Sequence, residues 1–303
     1  MKRALCIVCA LTGVAGADVS ERSRVEVKPA AKAFKQLSVE NALGNVRIEG
    51  HDGNSIMIET IKRAPDEDAL DRLRVSLVPD PDGTVHIVTA ADAGKEARPV
   101  PRSAVSIDIV IRAPRNARID AAVGSGKLEV IDMDGGGDLD TASGAISVRN
   151  VTGELYTHSV SGPMSITQAF GSIDAATVSS DVELDTIGGR RLVASANQGR
   201  IAGRRVRARD IELTTTTGRI QLEAEAALRG RIMVASLRGD VDVKVRRQMN
   251  AALLVRGRGT KVDLGSAAAM LGDWSEVKMG SNSDPAVVEL RSTFGRVRFS
   301  VIQ

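Results

Sequence analysis

Four aspartates fall within the segment "VIDMDGGGDLD" at residues 130–140: Asp132, Asp134, Asp138 and Asp140. A cluster of carboxylates is what sugar-cleaving chemistry needs. Polysaccharide lyases and hydrolases use such clusters as acid and base, or around Ca²⁺ with an arginine or lysine as base. The glycines within the cluster favour another reading, a tight corner with solvated carboxylates. The cluster does not recur, and it lacks the nonapeptide spacing of calcium-binding rolls. A sugar-cleaving groove also needs aromatic platforms, and near this segment there is one, Tyr156, followed by His158. His51 and His86 belong to no His/Asp/Glu cluster at metal-ligand spacing. "TVSS" (177–180) and "TTTTG" (214–218) read as hydroxyl ladders, because no helix follows to build a nucleophile elbow. The expectation is no catalytic residue, no metal site and no cofactor.

Cations form the second candidate group. Residues 114–188 carry 4 basic and 11 acidic side chains, whereas residues 189–258 carry 16 basic and 6 acidic. "GRIAGRRVRARD" is the richest piece, with Arg200, Arg204, Arg205, Arg207 and Arg209. Two readings stand: solvated outward positions of strands and turns, or a surface for an anionic envelope polymer or for another protein. Nucleic acid is disfavoured, since no aromatics interleave with the arginines.

The elements that must position these groups announce themselves by repetition. Gly126, Gly144, Gly162, Ser180, Gly199, Gly218, Gly239 and Gly259 follow one another at steps of 18, 18, 18, 19, 19, 21 and 20. After most of them comes an alternating apolar pair, such as Leu128 and Val130, Ile146 and Val148, or Met164 and Ile166. That is the period of a strand with one wet face. A second series lies half a step away ("GDLDT" at 137, "GELYT" at 153, "GSIDA" at 171), so each repeat holds two short strands. Repeats of roughly 18–21 residues are too short for two helices and predict an all-β parallel β-solenoid over 114–303. Aromatics make up only 2% of the chain, which suits thin layers of Val, Ile, Leu and Ala.

The ends read differently. "MKRALCIVCALTGVAGA" (1–17) has the charged start, short apolar run and small-residue close of a signal peptide. Both cysteines, Cys6 and Cys9, lie inside it, so the mature chain would contain neither a disulfide nor a transmembrane segment. Residues 18–113 read as an N-terminal β segment that caps the open edge of the stack. It includes a short charged helix at "PDEDALDRL" (65–73) and a loop at 90–103. "STFGRVRFSVIQ" reads as a last strand guarded by Arg296 and Arg298, and Trp274 as a plug of the terminal coils.

The leader, "LSVENALGNVRIEGHD", the strand ending "IVIRAP" and then "GSGKLEV", "GDLDTASGAISV" and "VSGPMSI" together resemble the bacterial exported β-strand-repeat proteins often labelled "putative adhesin". The resemblance covers most of the mature chain and is most specific over 105–187. It implies a β-solenoid in the cell envelope with no established catalytic residues. The function expected is therefore a non-enzymatic, adhesin-like scaffold in the periplasm or on the cell surface, able to self-associate through uncovered ends. The alternative is a solenoid-type carbohydrate-active enzyme.

Overall fold

A computed structural model describes residues 9–15, 18–28, 34–92, 101–247, 252–280 and 284–302. The fold is all-β, and the chain divides into two compact units, Met1–Gly153 and Glu154–Gln303.

The first unit begins with β1 (Cys9–Ala15), paired antiparallel with β2 (Asp18–Val27). Part of the segment read as a leader is thus a strand, while residues 1–8 and 16–17 lie outside the described residues. Next come β3 (Gln36–Asn41), β4 (Val46–His51) and β5 (Ile56–Ala64), the last antiparallel to β2. The charged helix is a single turn, α1 (Glu67–Leu70), capped where the Ala69 amide donates to Asp66 Oδ1 at 2.7 Å. An Asp at this position satisfies an otherwise orphaned amide. β6 (Leu73–Pro79) and β7 (Thr84–Ala91) form an antiparallel pair. Residues 93–100 of the expected loop lie outside the described residues. β8 (Ser106–Pro114), β9 (Arg118–Val123), β10 (Leu128–Met133) and β11 (Gly137–Thr141) follow, and β12 (Ile146–Ser159) runs across the division at Gly153.

Here parallel pairing takes over. Leu128 stands beside Ile146, and Ile119 beside Gly137, each partner lying one repeat step further along the chain. On their other side, however, β10 and β9 pair with β4 and β3, and these in turn with β8 and β7. Residues 36–51 therefore lie inside the parallel array, between segments that come later in the chain.

In the second unit β13 (Met164–Thr177), β14 (Val182–Gln198) and β15 (Ile201–Thr217) are long strands in register at steps of 18 and 19. β16 (Ile220–Glu225) and β17 (Arg231–Arg238) continue the two halves of β15, and β18 (Val241–Arg246) follows β16 at a step of 21. Equivalent apolar residues stack into columns: Met164, Val182, Ile201, Ile220 and Val241 in one, Ile173, Leu192, Ile211 and Ile232 in another, all buried. Burying each such side chain is worth about 1.5–3 kcal/mol. Gly203 interrupts one column, and Leu222 Cδ1 fills the space, 2.9 Å from where a Cβ would sit.

Chain order then fails. β18 pairs with β24 (Arg296–Ile302), and β17 with β23 (Ala286–Ser292). β19 (Leu253–Arg258) and β20 (Lys261–Asp263) stand beyond them. Gly295, rather than Gly259, follows Gly239: a Cβ on Gly295 would lie 2.2 Å from the Gly239 carbonyl oxygen. β24 is therefore an interior strand, and Arg296 and Arg298 guard no edge. Outside β19 lies β22 (Trp274–Met279), antiparallel, with the short β21 (Ala269–Leu271) paired to it. This places the Trp274 segment alongside β19, with Trp274 itself paired to Leu271 of β21.

Two kinds of corner join the strands. One is a buried hydroxyl three residues before glycine: Ser159 Oγ donates to the Gly162 carbonyl (2.9 Å), and Ser292 Oγ accepts from the Gly295 amide (2.8 Å). The other puts a non-glycine residue in the left-handed region, at Asp132 and Asn150 in the first unit and at Gln168, Thr186 and Arg205 in the second. This conformation is disfavoured for L-residues with a bulky side chain.

Candidate functional site

The aspartate segment does not converge on one point. Asp132 occupies a left-handed corner and accepts from Asn150 Nδ2 (2.6 Å); Asp134 accepts from Thr152 Oγ1 (3.2 Å), and Asp138 pairs with Arg118 (2.9 Å). Asp140 also has an interaction partner. No group of three or more metal-ligating side chains exists among the described residues. His51 is a turn residue: the Gly53 amide donates to Nδ1 (2.9 Å), which leaves Nε2 to donate to the Ser55 carbonyl (2.8 Å). His86 lies 3.3 Å from Asp80, and Tyr156 and His158 are exposed on β12.

The five arginines wrap around a turn of chain instead of sharing a patch. Arg205 sits at the left-handed corner, and the exposed pairs 204–205 and 209–210 break the strand alternation on either side of Val206–Ala208. Three of the five are neutralised from neighbouring strands. Arg200 meets Glu183 (3.0 Å) and Asp181 (3.7 Å), Arg205 pairs with Asp185, and Arg207 pairs with Glu225 (2.9 Å). Arg204 and Arg209 have no ion-pair partner among the described residues.

Register supplies what the run of arginines does not. Ala208 pairs with Gly189 and Asp210 with Arg191, which sets Arg209 beside Arg190 at the position between them. Arg190, Arg191 and Arg209 are all exposed and lack an ion-pair partner among the described residues. Arg190 and Arg191 escaped sequence reasoning because "RRLVA" reads there only as a strand start. The full repeat step that separates Arg190 from Arg209 was the available signal.

A cleft of about 300 Å³ opens on the strands that carry Arg205 and Arg207. Phe170 and charged side chains of β15, β16 and β18 line it, together with Ile187, Val206 and Ala224, which are themselves buried in the core. Phe170 is 47% exposed, and its ring covers Gly188, where a Cβ would lie 2.7 Å from the ring edge.

The perturbed groups lie elsewhere. The Arg47 guanidinium holds the Glu49 carboxyl below the ordinary range, chiefly by a hydrogen bond, and is itself raised by it. The Thr84 amide lowers Asp82.

Among solved structures, the chain is similar to a protein described as a "putative adhesin" from Bacteroides fragilis NCTC 9343, with 14% identity over 95% of this chain and 100% of that one, and a TM-score of 0.39. It is similar to a "putative lipid binding protein" from Parabacteroides distasonis ATCC 8503, with 13% identity, 91% and 97% coverage and a TM-score of 0.43. A third is a "putative cell adhesion protein" from Clostridium sporogenes ATCC 15579, with 10% identity, 93% and 100% coverage and a TM-score of 0.31. No curated protein matches the chain. The Toastrack DUF4097 family model matches residues 18–263, and the chain belongs to that family.

Proposed function

We propose that the protein is an exported, non-enzymatic cell-envelope scaffold that binds an acidic envelope polymer through its outer face. In this reading the chain is a parallel β-solenoid of two short strands per coil, capped by the β segment of 18–113 and freed of a leader at 1–17. Parallel registers that advance by one repeat step from strand to strand support the coil. Among the described residues no helix is long and apolar enough to cross a membrane.

The observation that carries the binding function is the trio Arg190, Arg191 and Arg209 on adjacent strands, exposed and without an ion-pair partner among the described residues, whereas Arg200, Arg205 and Arg207 nearby are matched to carboxylates. Charge left uncompensated attracts a polyanion, and arginine offers a fork that suits carboxylate groups.

Changing Arg190, Arg191 and Arg209 to Glu should reduce retention on immobilised polygalacturonate by about tenfold or more at low salt. Arg200→Gln, which removes a paired cation away from the cleft, should change retention by less than about twofold. Undiminished retention of the triple variant overturns the arginine surface. Release of unsaturated or reducing ends in the same assay overturns the non-enzymatic reading in favour of a carbohydrate-active enzyme.

A further inference from the structure

The geometry points to a second site: the cleft beside Phe170 binds a single carboxylated pyranose, the sugar-acid unit of an acidic glycan. Its volume of about 300 Å³ lies at the lower end of the range for ligand pockets, about 300–1,000 Å³, and suits one ring better than a chain. Three features select the ring's chemistry.

The first is the wall. Phe170 keeps nearly half its surface open, and the absence of a Cβ at Gly188 lets the ring lie against the neighbouring strand. A flat aromatic face held in this way is a platform for the C–H face of a pyranose.

The second is a set of fixed donors. Arg205 is tied by Asp185 and by Thr186 Oγ1 (3.0 Å), and Arg207 is tied through Nε to Glu225 (2.9 Å). Both are neutralised as charges, yet each keeps N–H groups that these bonds do not use, since a guanidinium carries five donors. Such preorganised donors suit hydroxyl oxygens.

The third is the pair of unmatched charges. Arg246 and Glu223 both line the cleft and have no ion-pair partner among the described residues. Arg246 calls for one carboxylate, and Glu223 accepts from hydroxyls. A sugar phosphate would bring close to two negative charges toward Glu223 and Glu225. A free amino acid would satisfy Arg246 and Glu223 but leave the donors of Arg205 and Arg207 without acceptors.

This inference rests on the acidic-polymer reading only for the source of the sugar. The two separate experimentally, because sodium glucuronate is a monomer and gains nothing from a multivalent arginine surface. Titration of the full chain followed by ligand-observed NMR should show saturable glucuronate binding, with saturation transfer strongest at the ring C–H protons. Methyl glucoside should bind about tenfold or more weakly. Phe170→Ala, Arg246→Gln and Gly188→Ala, the last of which displaces the ring, should each weaken glucuronate about tenfold at an unchanged melting temperature. The Arg190, Arg191 and Arg209 to Glu variant should bind it as the parent does. Equal binding of methyl glucoside, equal competition by norleucine, insensitivity to all three cleft variants, or no saturable binding overturns the inference. Polygalacturonate retention without glucuronate binding overturns the cleft alone.

Discussion

Within the second unit, β13 to β18 and β19 to β24 are built from the same alternating pattern, yet they assemble by different rules. From Met164 to Arg246 each strand pairs with the next equivalent strand along the chain, one repeat step on. From Leu253 to Ile302 the chain first makes the outer strands and then returns to insert β23 and β24 between them and the rest. The first unit does the converse, with the early β3 and β4 set between later strands. The lesson is that a ladder position is specified by shape and hydrophobicity and not by succession. Any segment with glycine at the corner and aliphatics at alternate positions fits any rung.

The corner glycines separate the two orders most sharply. Alanine at Gly295 would drive its Cβ to 2.2 Å from the Gly239 carbonyl oxygen, whereas alanine at Gly259 meets Val297 Cγ2 at 3.0 Å and the Gly295 carbonyl oxygen at 3.1 Å. Backbone cannot yield as a side chain can. Gly295→Ala should therefore destabilise by about 3 kcal/mol or more, and Gly259→Ala by about 1 kcal/mol. Denaturant unfolding of both variants decides the matter. If Gly259→Ala proves the more damaging, the return of β23 and β24 into the array is wrong.

Much of the middle was legible because its determinants are local. Leu128 and Val130, or Val182 and Leu184, mark strands by alternation, and the glycine spacing gives the pairing step. The "PDEDALDRL" helix was legible from its charge. The slot of "STFGRVRFSVIQ" was not, since Val297 and Phe299 would fit an outer rung as well as the interior one. The left-handed corners were hidden for another reason: Asp132, Asn150, Gln168, Thr186 and Arg205 are five different polar residues, a class that also fills the solvated strand positions. What they share is an apolar neighbour and, in three cases, a positive-φ glycine three residues on, at Gly153, Gly171 and Gly189. The arginine run misled because sequence adjacency places its members at successive corners. The residues that the register sets side by side, Arg190 and Arg209, are a whole repeat apart.

Hydroxyl corners offer a finer comparison. Ser292 Oγ both donates to the Gly239 carbonyl (2.7 Å) and accepts from the Gly295 amide (2.8 Å). The equivalent Thr177 Oγ1 is buried with no hydrogen-bond partner, and Ser180 replaces the glycine that follows. Ser292→Ala leaves a buried carbonyl and amide short of a partner, and should cost about 1–3 kcal/mol. Thr177→Val removes an unsatisfied oxygen at nearly constant shape and should be neutral or stabilising by up to about 1 kcal/mol. Thermal melts that show equal losses at both positions would mean that the hydroxyls act by packing alone.

The smallest effect expected lies in the first unit, where pairing out of chain order creates an ion network. Because β4 is set between β10 and β8, Arg47 reaches both Glu49 (Nε to Oε1, 2.7 Å) and Glu129 (2.8 Å), and Glu49 also meets Arg112 (3.3 Å). Hydrogen bonding from Arg47 depresses the folded-state pKa of Glu49, against an opposing but smaller effect of burial. A depressed carboxyl contributes stability that is complete above its unfolded pKa, about 4.3, and lost as pH falls through the lower folded value. With Glu49 about a quarter exposed, Glu49→Gln should cost about 0.5–1 kcal/mol at pH 7. That difference should shrink toward zero as both proteins are acidified below pH ~4. A gap that widens on acidification would mean that burial, and not Arg47, governs this carboxyl, and that the inserted β4 gains nothing from the charges on either side of it.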